Sequence, residues 1–178
     1  MIKMEDKNKH VRKWHGRRPF QIDDEYIIDF IGITKGMKVL DVGGADGYYS
    51  LKIAERGANV TLIDAHDYNF NELREAGIKT VLKDFCGYSE ENYDLVFMAH
   101  VYHDLVRICK KKTLENLSKI TGKYIANLDF TKQYSGFGPP VEERLEKGDV
   151  VEDMMTIGFK LRKDTDIPYH YLQLFERE

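Results

Sequence analysis

Two aspartates flank a glycine-rich bend, and their spacing sets the first chemistry open to this sequence. Asp41 stands directly before Gly43-Gly44-Ala45-Asp46-Gly47, and Asp64 follows the bend by about twenty residues. Glycines at such a bend let the backbone turn sharply and approach a ligand closely. A helix opening beyond them offers free N–H groups and the positive end of its dipole. An acid ending the next strand is placed to accept both hydroxyls of a ribose. Together these features predict a nucleoside-type cofactor site at the carboxyl ends of parallel strands. Asp41 and Asp46 would repel a pyrophosphate and attract an ammonium, so a cationic ligand is expected. The bend lacks both the G-x-G-x-x-G of a dinucleotide site and the Gly-Lys-Ser/Thr ending of a triphosphate loop. A tight turn packed for stability alone is the competing reading.

The run His100-Val101-Tyr102-His103-Asp104 supplies a second candidate group. It follows an apolar strand pattern over 93–98, which places it at the same edge of the sheet. His100 and His103 are therefore candidate catalytic bases, because imidazole titrates near neutrality and takes up a proton readily. The alternatives are that His100 only packs beside the cofactor and that His103 caps the next helix. Three-residue spacing would also permit metal binding with Asp104 or His66, but no second paired cluster supports it, and no metal is expected. Cys86 and Cys109 are too few for a four-thiolate site or a disulfide framework and read as free thiols in a reducing compartment.

These groups need a scaffold, and the hydrophobic pattern supplies one. Strand patterns fall at 38–42, 59–63, 80–82, 93–98, 124–128, 159–163 and 169–175. Helix patterns fall at 23–31, 48–56, 69–76, 105–120, 141–147 and 150–157, the last capped by Asp149. Alternating strand and helix predict a parallel sheet covered on both faces. The link through Pro168 is too short for a parallel crossover, so the last two strands should form an antiparallel hairpin.

On these residues the chain resembles the class I S-adenosylmethionine-dependent methyltransferases over nearly its whole length. Val39 to Gly47 looks like their first cofactor motif, with Asp41, Gly43 and Gly47 matching and Ala45 standing where the middle glycine usually lies. The resemblance implies a Rossmann-like, doubly wound α/β fold with a mostly parallel seven-stranded sheet, ordered 3-2-1-4-5-7-6 with an antiparallel C-terminal hairpin. It implies S-adenosyl-L-methionine as cofactor and S-adenosyl-L-homocysteine as product. Gly43, Gly44, Ala45 and Gly47 would form the cofactor bend. Asp64 would hold the ribose hydroxyls and Ala65 would line the adenine. Asp84 and Phe85 would meet its edge and face, and Ala99 and His100 would pass beside the methionine moiety.

Leu128-Asp129-Phe130-Thr131-Lys132, Gly138-Pro139-Pro140 and Arg144-Leu145 are similar to a small-molecule subset related to arsenite and quinone-type enzymes. An unidentified small-molecule acceptor is the implied substrate. The alternatives are an NAD(P)-type oxidoreductase, a domain that binds the cofactor without turnover, and an RNA methyltransferase.

Bulk properties agree with a single domain. The 178 residues are 42% hydrophobic and 32% charged, with a net charge of −3, so no global basic field draws in nucleic acid. No apolar run approaches the ~20 residues that span a bilayer, and the first ten residues lack the apolar centre of a secretory signal. A cytoplasmic location is expected. The exception to the mild charge is the basic stretch Lys7 to Arg18, which contains Trp14. Residues 1–20 are read as a basic segment or lid and 21–178 as the methyltransferase domain.

Overall fold

The computed structural model describes residues 22–178; the basic segment and its proposed lid role lie outside them. Asp23 caps the first helix, its carboxylate accepting from the Tyr26 N–H at 3.1 Å. Helix α1 (Asp24–Ile31) then buries Ile27, Ile28 and Ile31 and ends at Gly32, whose φ of 72° is the left-handed conformation glycine adopts freely.

The rest follows the alternation read from sequence: β1 (Lys38–Val42), α2 (Tyr48–Glu55), β2 (Asn59–Asp64), α3 (Phe70–Glu75) and β3 (Lys79–Leu82). After a 3-10 turn at Phe85–Gly87 come β4 (Tyr93–Ala99), α4 (Tyr102–Ile120) and β5 (Thr121–Phe130). A second 3-10 turn (Val141–Glu143), α5 (Lys147–Thr156), β6 (Phe159–Ile167) and β7 (His170–Arg177) complete the chain. The strands form one seven-stranded sheet in the order β3-β2-β1-β4-β5-β7-β6. Strands β1 to β5 pair in parallel, whereas β7 runs antiparallel to both β5 and β6. This is the predicted class and order.

Each face of the sheet has its own core. Ile27, Ile53, Phe70 and Leu73 of α1 to α3 cover one side of β1, β2 and β4. Tyr102, Leu105, Leu117, Val150 and Met154 of α4 and α5 cover the other. Burial of both faces explains the near-continuous apolar runs of β1 and β4. No helix among the described residues is long and apolar enough to cross a membrane.

Two expectations are corrected. The helix pattern at 141–147 becomes a single 3-10 turn, and α5 starts at Lys147 rather than after Asp149. The cause is Arg144, which is extended (ψ 148°) and buried. Its guanidinium donates to the carbonyls of Thr131, Gln133, Phe137 and Pro139 and to the Ser135 hydroxyl, at 2.7–3.0 Å. Five bonds from a planar fork outweigh one more helical turn, and they hold the 131–140 loop around one guanidinium. The second correction concerns the cysteines. Cys86 and Cys109 are not free thiols but a disulfide, with Cα atoms 6.0 Å apart. It joins the turn after β3 to a break in α4, where Cys109 leaves helical geometry (φ −154°, ψ 48°).

Candidate active site

The carboxyl ends of β1, β4 and β5 open onto a cleft of about 440 Å³. The bend after β1 forms its floor. Gly47 has a φ of 80° and leads into α2, and a Cβ there would stand 2.4 Å from a Leu73 methyl. At Gly44 a Cβ would meet Leu62 at 2.6 Å and the Asp41 carboxylate at 2.7 Å. The backbone is therefore pressed against β2 on one side and exposed to the cleft on the other.

Asp41 is only 2% exposed. Its carboxylate accepts from the Ser50 hydroxyl at 2.8 Å, and the like charges of Asp64 and Asp46 act on it. Burial raises its pKa to about 7, the Ser50 bond opposing and the two like charges adding to the rise. Asp64, half-buried at the end of β2, accepts from the Ala45 N–H at 3.0 Å and the His66 N–H at 2.9 Å. Burial raises its pKa as well, against these backbone bonds. The carboxylate thus supports the bend from behind while standing at its rim.

The reaction side is built by β4, α4 and β5. His100 holds a φ of 59°, unusual for a residue with a side chain, and its N–H donates to the Leu128 carbonyl at 2.8 Å. Its ring packs at 4.7 Å from Phe130 and 4.9 Å from His170. His103 is 5% exposed and meets a fully buried partner: its Nδ1 lies 2.8 Å from the Asp129 carboxylate. The other Asp129 oxygen accepts the His103 backbone N–H at 3.2 Å. The His103 Nε2 lies 3.6 Å from Asp104, too far for a hydrogen bond. Burial lowers the His103 pKa, but the Asp129 hydrogen bond and charge outweigh it, with Asp104 and Glu143 adding, so the net direction is upward.

Asp41, Gly43, Gly44, Ala45, Ala99, His100 and His103 line this one cleft. Gly47 stands behind it. Asp64, Ala65 and Asp84 lie along the same sheet edge, with Ala65 and Asp84 exposed. The Asp84 carboxylate caps the short turn by accepting the Cys86 N–H at 2.8 Å. Phe85 is 5% exposed, its ring in the core beneath α4 and its carbonyl held by Asn116 at 2.8 Å, so its ring does not face the cleft. Sequence reasoning quoted Asp129 in a motif but gave it no role. It also missed Phe130 and Glu143 as lining residues. Strand register carried the signal for Asp129 and Phe130: Ala99 pairs with Leu128, which sets the last two residues of β5 beside the residues that follow β4. Among the described residues, no group of three or more His, Cys, Asp or Glu is placed to hold a metal ion.

Residues 40–123, from β1 through α4 into β5, match a family model described as a methyltransferase domain. A methyltransferase from Aquifex aeolicus, described as SAM-dependent, superposes with a TM-score of 0.84 at 21% identity, over 96% of this chain and 98% of that one. This is a class I methyltransferase fold. Burkholderia thailandensis 1,6-didemethyltoxoflavin-N1-methyltransferase, solved with its substrate and S-adenosylhomocysteine, gives a TM-score of 0.72 at 16% identity. It covers 98% of this chain and 84% of its own. Among curated proteins, the O-antigen chain terminator bifunctional methyltransferase/kinase of Escherichia coli is 26% identical over 129 residues. That match takes in 63% of this methyltransferase-fold chain and spans only 18% of the relative.

Proposed function

We propose that the protein is an S-adenosylmethionine-dependent methyltransferase acting on a small molecule. One observation carries the reading. Asp41 is a buried carboxylate at the floor of an open cleft, beside a glycine bend, with a hydroxyl for a partner and like charges nearby. Such a group is costly to ionise alone, and a cation delivered by a ligand relieves the cost. The ammonium of an adenosyl amino acid supplies that cation. Gly43, Gly44 and Ala45 would pass beneath the amino-acid part, and Asp64 would exchange its backbone partners for ribose hydroxyls. Ala65 and Asp84 would border the adenine, with Ala99 and His100 beside the methionine carbons. The cofactor when bound supplies an electrophilic methyl on a sulfonium, and the cleft has to align an acceptor with it. The toxoflavin-type enzyme, with a small molecule and the demethylated cofactor in the same fold, supports an acceptor of that size.

Equilibrium dialysis against S-adenosylmethionine, NADPH and ATP tests the assignment. Retention of the sulfonium compound, with the two nucleotides excluded, is expected. Gly44→Ala should raise its dissociation constant at least tenfold, because Leu62 is fully buried and has no room to give way to the added carbon. Retention of NADPH instead would move the protein to the oxidoreductases.

A further inference from the structure

Resting on that reading, we infer that His103 is the general base of the transfer, that Asp129 is its positioning residue, and that the methyl acceptor is consequently a protic heteroatom, a hydroxyl or an N–H. The geometry selects His103 over His100. The His100 ring also lines the cleft, but it packs in a mutual cluster with the Phe130 and His170 rings. The His103 ring is held edge-on by a carboxylate and lines the cleft. Asp129 accepts at Nδ1, so neutral His103 carries its proton there and keeps the lone pair on Nε2. A carboxylate behind an imidazole fixes tautomer and orientation and stabilises the imidazolium that forms.

Asp129 is itself locked, its two oxygens also accepting the His103 and Phe130 backbone N–H groups. Asp104 stands 3.6 Å from Nε2, and Arg107 pairs with Asp104 at 2.9 Å and approaches Glu143 at 3.9 Å. The charges around the ring therefore favour its protonated form, as a proton acceptor requires. An aprotic acceptor, such as a thioether or a tertiary amine, has no proton to give and would leave this buried pair without a task.

In the step itself, the O–H or N–H proton passes to His103 Nε2. The freed lone pair forms the new bond to the methyl carbon, and the carbon–sulfur electron pair returns to sulfur, giving the thioether. The imidazolium then releases its proton to solvent.

The test follows tritiated methyl transfer from S-adenosylmethionine to a panel of phenols, alcohols and primary amines, set against tertiary amines and thioethers. NMR titration of the histidines runs in parallel. Turnover is expected only in the protic class. For the acceptor that responds, kcat should fall about 10²–10⁴-fold in His103→Asn and by a similar order in Asp129→Asn. Binding of S-adenosylhomocysteine should stay within about twofold in both variants. In the wild type His103 should titrate above the ordinary histidine value, and in Asp129→Asn lower than in the wild type, since the Asp129 hydrogen bond and charge are lost while burial, Asp104 and Glu143 remain. Asp129→Asn keeps the shape of the side chain but only one of the two oxygens that accept backbone N–H groups, so its melting temperature is measured alongside, and His103→Asn, which leaves Asp129 intact, carries the kinetic test. Turnover of the aprotic class, full activity in His103→Asn, or a neutral ring protonated at Nε2 would each overturn the inference. If S-adenosylhomocysteine fails to bind the wild type, it is the cofactor assignment that fails instead.

Discussion

Asparagine at position 41 is expected to cripple cofactor binding and, at the same time, to stabilise the empty protein. The Asp41 carboxylate is buried at 2% exposure and its pKa stands near 7, against 3.8 in the unfolded chain. Below the unfolded value both states hold the proton, and the group costs nothing. As pH rises from there towards 7, the unfolded chain releases its proton while the folded one keeps it, and stability falls. Above 7 the loss is complete, on the order of 4 kcal/mol if the whole shift is expressed. Asp41→Asn keeps the shape and removes the charge. Its melting temperature at pH 8 should therefore exceed that of the wild type by several degrees, and the two should converge towards pH 4.

Ligand binding should move the opposite way. Neutralising one member of a buried charge pair costs about 2–5 kcal/mol, roughly a 30- to 5,000-fold rise in the dissociation constant. In the wild type, affinity for S-adenosylmethionine should weaken below pH 7, because the ammonium must first displace the Asp41 proton. Thermal melts with and without ligand at pH 5, 6, 7 and 8 measure both arms. A variant less stable than the wild type, with undiminished affinity, would refute this role.

Breaking the disulfide carries the second large effect. Cys86 and Cys109 are 23 residues apart. Closing a loop of that length removes unfolded-state entropy worth about 3 kcal/mol in the chain-entropy account. Cys86→Ser should lower unfolding stability by that order in urea titration, and a dithiol reductant should bring the wild type down to the variant. The bond also ties the Asp84 turn to the broken turn of α4, so loss of rigidity should be greatest there. Two thiols titrated in the unfolded, unreduced protein would contradict the pairing outright.

Much of this molecule was readable from its residues. The glycine bend between an apolar strand and a helix, with acids at 41 and 64, was legible as a turn at the carboxyl end of β1, where the structure opens a cleft, because those features are local. Period and turn chemistry likewise gave every strand, although β5 to β7 extend past the apolar runs read from sequence. Glu176, beyond the run that ends at 175, pairs across the hairpin with Arg162 at 2.9 Å and extends β7 without hydrophobic signal.

What escaped was non-local. Arg144 abolishes a helix through carbonyls up to thirteen residues away, and no helical period records such a competitor. The cysteine pair depends on a break inside α4 that propensity gives no reason to expect. His103 and Asp129 lie 26 residues apart and meet only because β4 and β5 are adjacent and in register.

A crystal grown with S-adenosylhomocysteine bears most directly on all of this. The ligand is predicted to lie across residues 43–47, its ammonium against the Asp41 carboxylate and its ribose hydroxyls on Asp64, with the sulfur facing the space beside His103. An occupied crystal with the ligand elsewhere, or a bend left empty at saturating concentration, would contradict it.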